Sequence, residues 1–180
     1  MNEGKGGGSL PRIGRNVYIA PTSYVGGDVS IGDESTIMHH VMIRGDVSAI
    51  RIGRRVNVQD GTIIHTQTGV PLHIEDEVSI GHRVVVHCRR VGREALIGTG
   101  AVVLDGCDVG EGCIIGACAL VTPGTTIPAG TVWMGVPARQ IREVSPSERE
   151  YVRQVVQTYF RLGRLHGSGA YPPAACGLHE

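Results

Sequence analysis

Three histidines in the middle of the chain are candidates for binding a metal ion. His82 and His87 stand in the stretch IGHRVVVHC, and His65 precedes them at the end of GTIIH. Three neutral imidazoles leave a fourth position open for water, which is typical of catalytic zinc centres. Zinc lowers the pKa of that water from about 15.7 to about 7. The histidines therefore predict a site that supplies hydroxide at neutral pH.

Polar residues upstream of His65 fit the same chemistry. Gln59 is a candidate for orienting the hydroxide, and Asn57 for holding either Gln59 or the substrate. A candidate charge network, whose first role is to hold subunits together, consists of Arg44, Asp46 and Asp60. A single histidine in a strand is more often a solvated surface residue. The metal interpretation therefore depends on whether the fold brings these side chains together.

A repeat of six residues runs through most of the chain. An aliphatic anchor recurs, and the residue four positions later is small or β-branched. The anchors are Ile13, Ile19, Val25, Ile31, Ile37, Ile43, Ile52, Val58, Ile64, Ile74, Ile80, Val86, Val91, Ile97, Val103, Val109, Ile115, Val121 and Ile127, and Trp133 ends the series. Gly follows the anchor at nine places, which predicts tight corners that need permissive backbone angles. The period predicts coils of three short strands, stacked about 4.8 Å apart as a parallel β-helix.

Irregular spacings interrupt this repeat close to the histidines. They fall in residues 43–52, 64–74 and 80–91. If each is one long or short edge of a coil, Arg44, His65 and His87 follow their anchors by one residue and stack on one face. Asp60 and His82 follow theirs by two residues and stack on the preceding face, with Gln59 beside them.

His82 therefore lies around a corner from His65 and His87. Five extended residues span up to about 16 Å, whereas zinc needs its nitrogen ligands at about 2.0–2.1 Å. The three rings of one chain are therefore too widely spaced to reach one ion easily. If three chains pack about a threefold axis, the face with His65 and His87 meets His82 of a neighbour. This arrangement predicts a homotrimer with metal sites between subunits.

The sequence after the repeat predicts one helix. Ser145 is a candidate N-cap, Pro146 suits the first helical position, and Glu148 completes a capping box. The predicted organisation is a flexible tail (1–10), an all-β left-handed parallel β-helix (11–143), an amphipathic helix packed on it (144–166) and a second flexible tail (167–180).

Charge and composition narrow the partners. Seventeen basic residues balance seventeen acidic ones, so no overall charge attracts nucleic acid or an anionic membrane. No apolar run approaches the roughly 18 residues of a membrane span, and the first residues lack a signal-peptide pattern. Five cysteines without a CxxC pair favour neither a disulfide framework nor a thiolate zinc site. We predict a cytoplasmic protein with no nucleic-acid or membrane partner.

Three segments together resemble a known family. They are RGDVSAIRIGRRVNVQDGTIIH (residues 44–65), IGHRVVVHC (80–88) and LIGTGAVVLDG (96–106). The combination resembles the gamma-class carbonic anhydrases, members of the hexapeptide-repeat, left-handed β-helix superfamily, over roughly residues 11–138. The resemblance implies left-handed coils, a homotrimer and reversible hydration of CO2 to bicarbonate.

The resemblance also implies a ligand set. Zinc (Zn2+), or Fe2+ or Co2+ in some members, is bound by His65 and His87 of one subunit and His82 of the next. This chain departs from the best-studied branch, because Val47 stands where that branch carries a proton-shuttle glutamate. The loop TQTGVPLH (66–73) also has no acidic residue, unlike the corresponding loop of that branch. Both departures put proton export from the site in question.

Further roles come from the same resemblance. It implies that Gln59 and Asn57 lie near the hydroxide and that Arg44 contacts Asp60 across subunits. Tyr159, on the predicted helix, resembles a family tyrosine near the site; packing in the core is an equally good interpretation.

Two other kinds of function fit parts of the sequence. A hexapeptide acyltransferase shares the repeat and the trimer but uses one histidine as a general base. A non-catalytic scaffold or assembly protein could keep the metal site without activity, and some relatives are linked to thioesterase activity. One metal ion per chain in the purified protein would argue against the acyltransferase. A normal metal content without activity towards CO2 or thioesters would indicate the scaffold.

Overall fold

The structure is a computed structural model that describes residues 9–174. In chain order the strands are β1 (Arg12–Ile13), β2 (Tyr18–Ile19), β3 (Tyr24–Ile31), β4 (Thr36–Ile37), β5 (Met42–Ile52), β6 (Asn57–Val58), β7 (Ile63–Ile64), β8 (Leu72–Ile74), β9 (Ser79–Ile80), β10 (Val85–Val86), β11 (Arg90–Val91), β12 (Leu96–Ile97), β13 (Val102–Val103), β14 (Asp108–Val109), β15 (Ile114–Ile115), β16 (Leu120–Val121), β17 (Thr126–Ile127), β18 (Thr131–Gly135) and β19 (Ala138–Glu143). One helix follows, α1 (Pro146–Gly167). Residues 1–8 and 175–180, which belong to the predicted tails, lie outside the described part.

Successive coils stack in parallel, so each anchor pairs with anchors of the coils before and after it. Ile64, for example, pairs with Ile43 on one side and Val86 on the other. All three side chains are fully buried. Burial of such a side chain contributes about 1.5–3 kcal/mol, so the repeated anchors hold both the core and the register of the coils. The predicted parallel β-helix is confirmed.

The glycines that follow the anchors are required for a different reason from the one predicted. Left-handed backbone angles occur three residues after an anchor, as at Glu34 and Gly124, and not at the anchor-following glycines. At Gly98, a Cβ atom would lie 2.6 Å from the backbone nitrogen of Ala117 in the next coil. The prediction that these glycines serve backbone angles is therefore wrong: close approach of neighbouring coils requires them.

The prism has three outer faces of different character. The apolar face presents, one above another, Tyr24, Met42, Ile63, Val85, Val102 and Leu120. The polar face presents Arg12, Ser30, Arg51, His73, Arg90, Asp108 and Thr126. The helix face presents Tyr18, Thr36, Asn57, Ser79, Leu96, Ile114 and Val132. α1 contacts β2, β4, β6 and β9 and covers this third face.

The start of α1 follows the predicted capping box. Ser145 accepts a hydrogen bond from the backbone nitrogen of Glu148, and the Glu148 side chain accepts one from the Ser145 backbone. The hydrogen bond from Arg142, followed by those from Ser145, lowers the pKa of Glu148 to about 2. The observed helix begins two residues after the predicted start at 144 and ends one residue beyond 166. Within residues 9–174 no helix is long and apolar enough to cross a membrane.

The end of the β-helix contains an element that the repeat did not predict. β18 continues the parallel stack, but β19 pairs with it in the antiparallel direction. The chain reverses at Gly135, whose φ is 98°, in the segment GVPA. A period-six pattern carries no signal for this hairpin, because its second strand no longer belongs to a coil.

Candidate metal centre

The strand pairing places the candidate ligands in two columns. Arg44, His65 and His87 each follow paired anchors by one residue and stand beside the apolar face. Asp60 and His82 each follow paired anchors by two residues and stand at the corner next to the helix face. One chain thus presents two imidazoles at one corner and a third at another.

A bulge in β5 brings Asp46 towards the first column. β3 and β5 run straight past a corner, and their pairing shifts from Gly27–Gly45 to Val29–Ile50. Residues 46–49 consequently have no partner in the neighbouring strands, as is usual for the extra residues of a β-bulge. The first of the three irregular spacings, residues 43–52, is therefore the segment that supplies the Asp46 carboxylate.

Asp46 connects Arg44 with His65. Its Oδ1 lies 2.9 Å from His65 Nε2, and its Oδ2 accepts a hydrogen bond from Arg44 at 2.5 Å. The hydrogen bond with His65, with a smaller contribution from the Arg44 charge, holds the pKa of Asp46 below its usual range. The predicted contact between Arg44 and Asp60 joins two subunits, so it remains a prediction.

The distance between the facing ring nitrogens of His65 and His87 suits two ligands of one metal ion. His65 Nδ1 and His87 Nε2 face each other at 3.1 Å, and the side chains are only 19% and 27% exposed. Two nitrogen ligands of tetrahedral zinc, each about 2.0–2.1 Å from the ion, lie about 3.3 Å apart. The pair therefore has nearly the separation that two ligands of one zinc ion need.

His82 is held apart from that pair. Its Nδ1 lies 3.0 Å from Asp60 Oδ2, and its Nε2 lies 3.4 Å from the hydroxyl of Tyr159. Within the described residues, no three His, Cys, Asp or Glu side chains of one chain converge to hold a metal. The described residues of one chain therefore do not group His82 with His65 and His87.

Asn57 and Gln59 form a buried amide pair near this corner. Gln59 Nε2 donates to Asn57 Oδ1 at 3.1 Å, and the Ser79 hydroxyl donates to the same oxygen at 3.0 Å. Asn57 Nδ2 is buried and has no partner within residues 9–174. A buried donor left unsatisfied costs about 1–3 kcal/mol, so this nitrogen is a natural contact point for a bound water or ligand.

α1 positions Tyr159 over His82. Thr36 donates from its hydroxyl to the Tyr159 carbonyl at 3.1 Å, and Gly163 lets the helix approach Thr36 closely. Burial, followed by the nearby Asp60 charge, raises the pKa of the Tyr159 hydroxyl. The tyrosine therefore stays protonated at neutral pH and is available as a donor near His82.

Sequence reasoning missed one residue of this centre. The Asp105 carboxylate contacts His87 Nδ1 from the next coil. The signal was present, because Asp105 follows the anchor Val103 by two residues and Val103 pairs with Val86. The segment LIGTGAVVLDG contributed to the resemblance without a role being given to its aspartate.

Comparison with known proteins agrees with this architecture. A family model described as dynactin subunit 5 matches residues 14–164. A structure of a hexapeptide transferase family protein from Anaplasma phagocytophilum has a TM-score of 0.81 and 33% identity, covering 86% of this chain and 91% of that one. The fold and the period therefore define a hexapeptide-repeat protein with a left-handed parallel β-helix and a C-terminal helix.

Sequence relatives narrow the class further. Gamma carbonic anhydrase 2, mitochondrial, of Arabidopsis thaliana is 37% identical over 88% of this chain, which spans 59% of that protein's length. A carbonic anhydrase of Geobacillus kaustophilus is 40% identical, covering 88% of this chain and 87% of its own length. The chain belongs to the gamma-class carbonic anhydrase-like family, and residues 14–164 also place it in the family described as dynactin subunit 5. The predicted family is confirmed.

Proposed function

We propose that the chain forms a homotrimer that hydrates CO2 reversibly at metal sites between subunits. The observation that carries the proposal is the pair of facing nitrogens of His65 and His87, at 3.1 Å beside an exposed apolar face. The proposed third ligand is His82 of a neighbouring chain. The relatives named carbonic anhydrase support the same reaction.

The metal and the protein contribute differently to this reaction. Zinc in a site of three histidines supplies hydroxide at neutral pH. An ion held by these histidines would supply hydroxide for addition to the carbon of CO2, in which one C–O π pair moves to oxygen to give bicarbonate. Gln59 donates to Asn57 through Nε2, which leaves Oε1 as an acceptor that can orient the hydroxide.

Tyr159 and the charged residues have supporting roles in the proposal. The protonated Tyr159 hydroxyl lies 3.4 Å from His82 Nε2, where it could donate a hydrogen bond to bicarbonate at a site that includes His82. Arg44 is exposed beside the apolar face, where it can reach Asp60 of a neighbour. We propose zinc as the ion, with Fe2+ and Co2+ as alternatives, and a cytoplasmic location.

Metal analysis combined with stopped-flow hydration of CO2 tests the proposal. Protein purified without oxygen should contain about one metal ion per chain and accelerate hydration, whereas His65→Ala should lose both properties. His73→Ala is the matched control, since His73 is an exposed histidine on the polar face. A metal-free trimer that binds acetyl-CoA would instead favour an acyltransferase, and a metal-loaded trimer without activity would favour a scaffold.

A further inference from the structure

Four side chains form a line across the first ligand column. Asp46 contacts His65 Nε2 at 2.9 Å, His65 Nδ1 faces His87 Nε2 at 3.1 Å, and His87 Nδ1 contacts the Asp105 carboxylate. An ionised carboxylate can only accept a hydrogen bond, and a neutral imidazole carries one N–H. With ionised carboxylates and neutral imidazoles, the line has three contacts but only two protons to fill them.

The two outer contacts take those protons. Hydrogen bonds to an ionised acceptor are roughly twice as strong as neutral ones. His65 then carries its hydrogen on Nε2 and His87 on Nδ1, each donating to its aspartate. The nitrogens that face each other at 3.1 Å both hold lone pairs, which is the arrangement that a cation needs.

We propose that Asp105, acting with Asp46, is a positioning residue that fixes the proton on the outer nitrogen of its histidine and so keeps the facing nitrogens open to metal. This inference rests on the proposed metal site. Without the Asp105 carboxylate, His87 can move its proton to Nε2 and donate to His65 Nδ1. The two rings then form a hydrogen bond with each other, and the facing nitrogens are no longer both free to bind a metal ion.

The setting of Asp105 supports a role beyond folding. Its side chain is 48% exposed, and within residues 9–174 the carboxylate has no hydrogen-bond or ion-pair partner besides His87. The coil is held in this region by backbone pairing, including the bond from Gly124 N to Asp105 O at 2.8 Å. Asp105→Asn should therefore leave the fold intact.

Zinc affinity, measured by competition with a chelator at fixed pH, tests the inference. Loss of a carboxylate behind a histidine ligand typically weakens metal binding about 10–100-fold, and we expect Asp105→Asn to fall in this range. Asp105→Glu, which keeps the charge, should bind more tightly than the Asn variant. Asp108→Asn is the matched control, because Asp108 pairs with Arg89 and Arg90 on the polar face, and it should stay within about threefold of the unchanged protein.

Nitrogen-15 NMR of the histidine rings gives a second readout that needs no metal. The unchanged protein should carry the His87 hydrogen on Nδ1, and Asp105→Asn should shift it to Nε2. Zinc affinity within threefold for Asp105→Asn, or a His87 hydrogen on Nε2 in the unchanged protein, would overturn the inference. If the unchanged protein bound no zinc, the proposed function would fail, and the ring tautomers would still decide the role of Asp105.

Discussion

At the residue scale, each candidate ligand histidine is oriented by a carboxylate of its own chain. Asp46, Asp60 and Asp105 contact His65, His82 and His87 respectively. Only Asp46 and Asp60 were singled out from the sequence, because the charge-rich motif before His65 drew attention to them. Asp105 follows its anchor Val103 by two residues, so the stacking of Val103 on Val86 already placed it near His87, but it stands apart from that charge-rich motif.

Division of the ligands between subunits can be tested by mixing variants. His82→Ala and His87→Ala should each lose metal as homotrimers. In a trimer that contains both variants, one of the three sites is complete. At that site the His82→Ala chain supplies His65 and His87, and the His87→Ala chain supplies His82. After subunit exchange of a 1:1 mixture, metal content should recover to about a quarter of the unchanged value.

The control mixes two variants of the same half-site. His65→Ala with His87→Ala should recover no metal, because neither chain keeps both members of the facing pair. Metal content measured after proven subunit exchange checks both mixtures. Equal recovery in the two mixtures, or none in the first, would exclude ligands shared in the proposed way.

At the scale of elements, the period of the sequence predicted most of the architecture. Anchors such as Ile43, Ile64 and Val86 stack as expected, because a buried column of aliphatic residues fixes both the spacing and the register. The reason for the glycines was wrong, since the backbone approach between coils depends on three-dimensional stacking. The hairpin of β18 and β19 was missed for a related reason: its antiparallel pairing leaves the repeat.

The two glycine environments predict different responses to substitution. Gly98→Ala should lower the free energy of unfolding by about 1–3 kcal/mol, because its Cβ would lie 2.6 Å from the Ala117 nitrogen. Gly124 has a φ of 72°, and no atom of residues 9–174 lies within 4 Å of an added Cβ. Asn tolerates such angles better than most residues, so Gly124→Asn should cost about 1 kcal/mol at most. Denaturant unfolding of both variants checks the difference, and equal losses would contradict it.

At the scale of the whole molecule, the three faces of the prism have separate uses. α1 covers the helix face, and ion pairs such as Arg90–Asp108 occupy the polar face. Within residues 9–174 the apolar face has neither a covering helix nor ion pairs of this kind, and its Tyr24, Met42 and Ile63 are 54%, 39% and 46% exposed. A continuous exposed apolar column of this kind marks an interaction surface. Since the column runs beside His65 and His87, the chain that docks there in the proposed trimer is also the one expected to bring His82.

Met42→Lys therefore tests assembly and metal binding together. A lysine at this exposed position is solvated in a single chain but would be buried without a partner in the trimer, which is costly. We expect Met42→Lys to sediment as a monomer, to keep the circular dichroism of the β-helix and to lose metal. Thr126→Lys, which places the same charge on the exposed polar face, should remain trimeric and keep its metal. If a monomeric Met42→Lys protein still bound one metal ion per chain, all the ligands would have to come from one chain. That result would contradict the proposed site, because His82 is separated from the His65 and His87 pair within one chain.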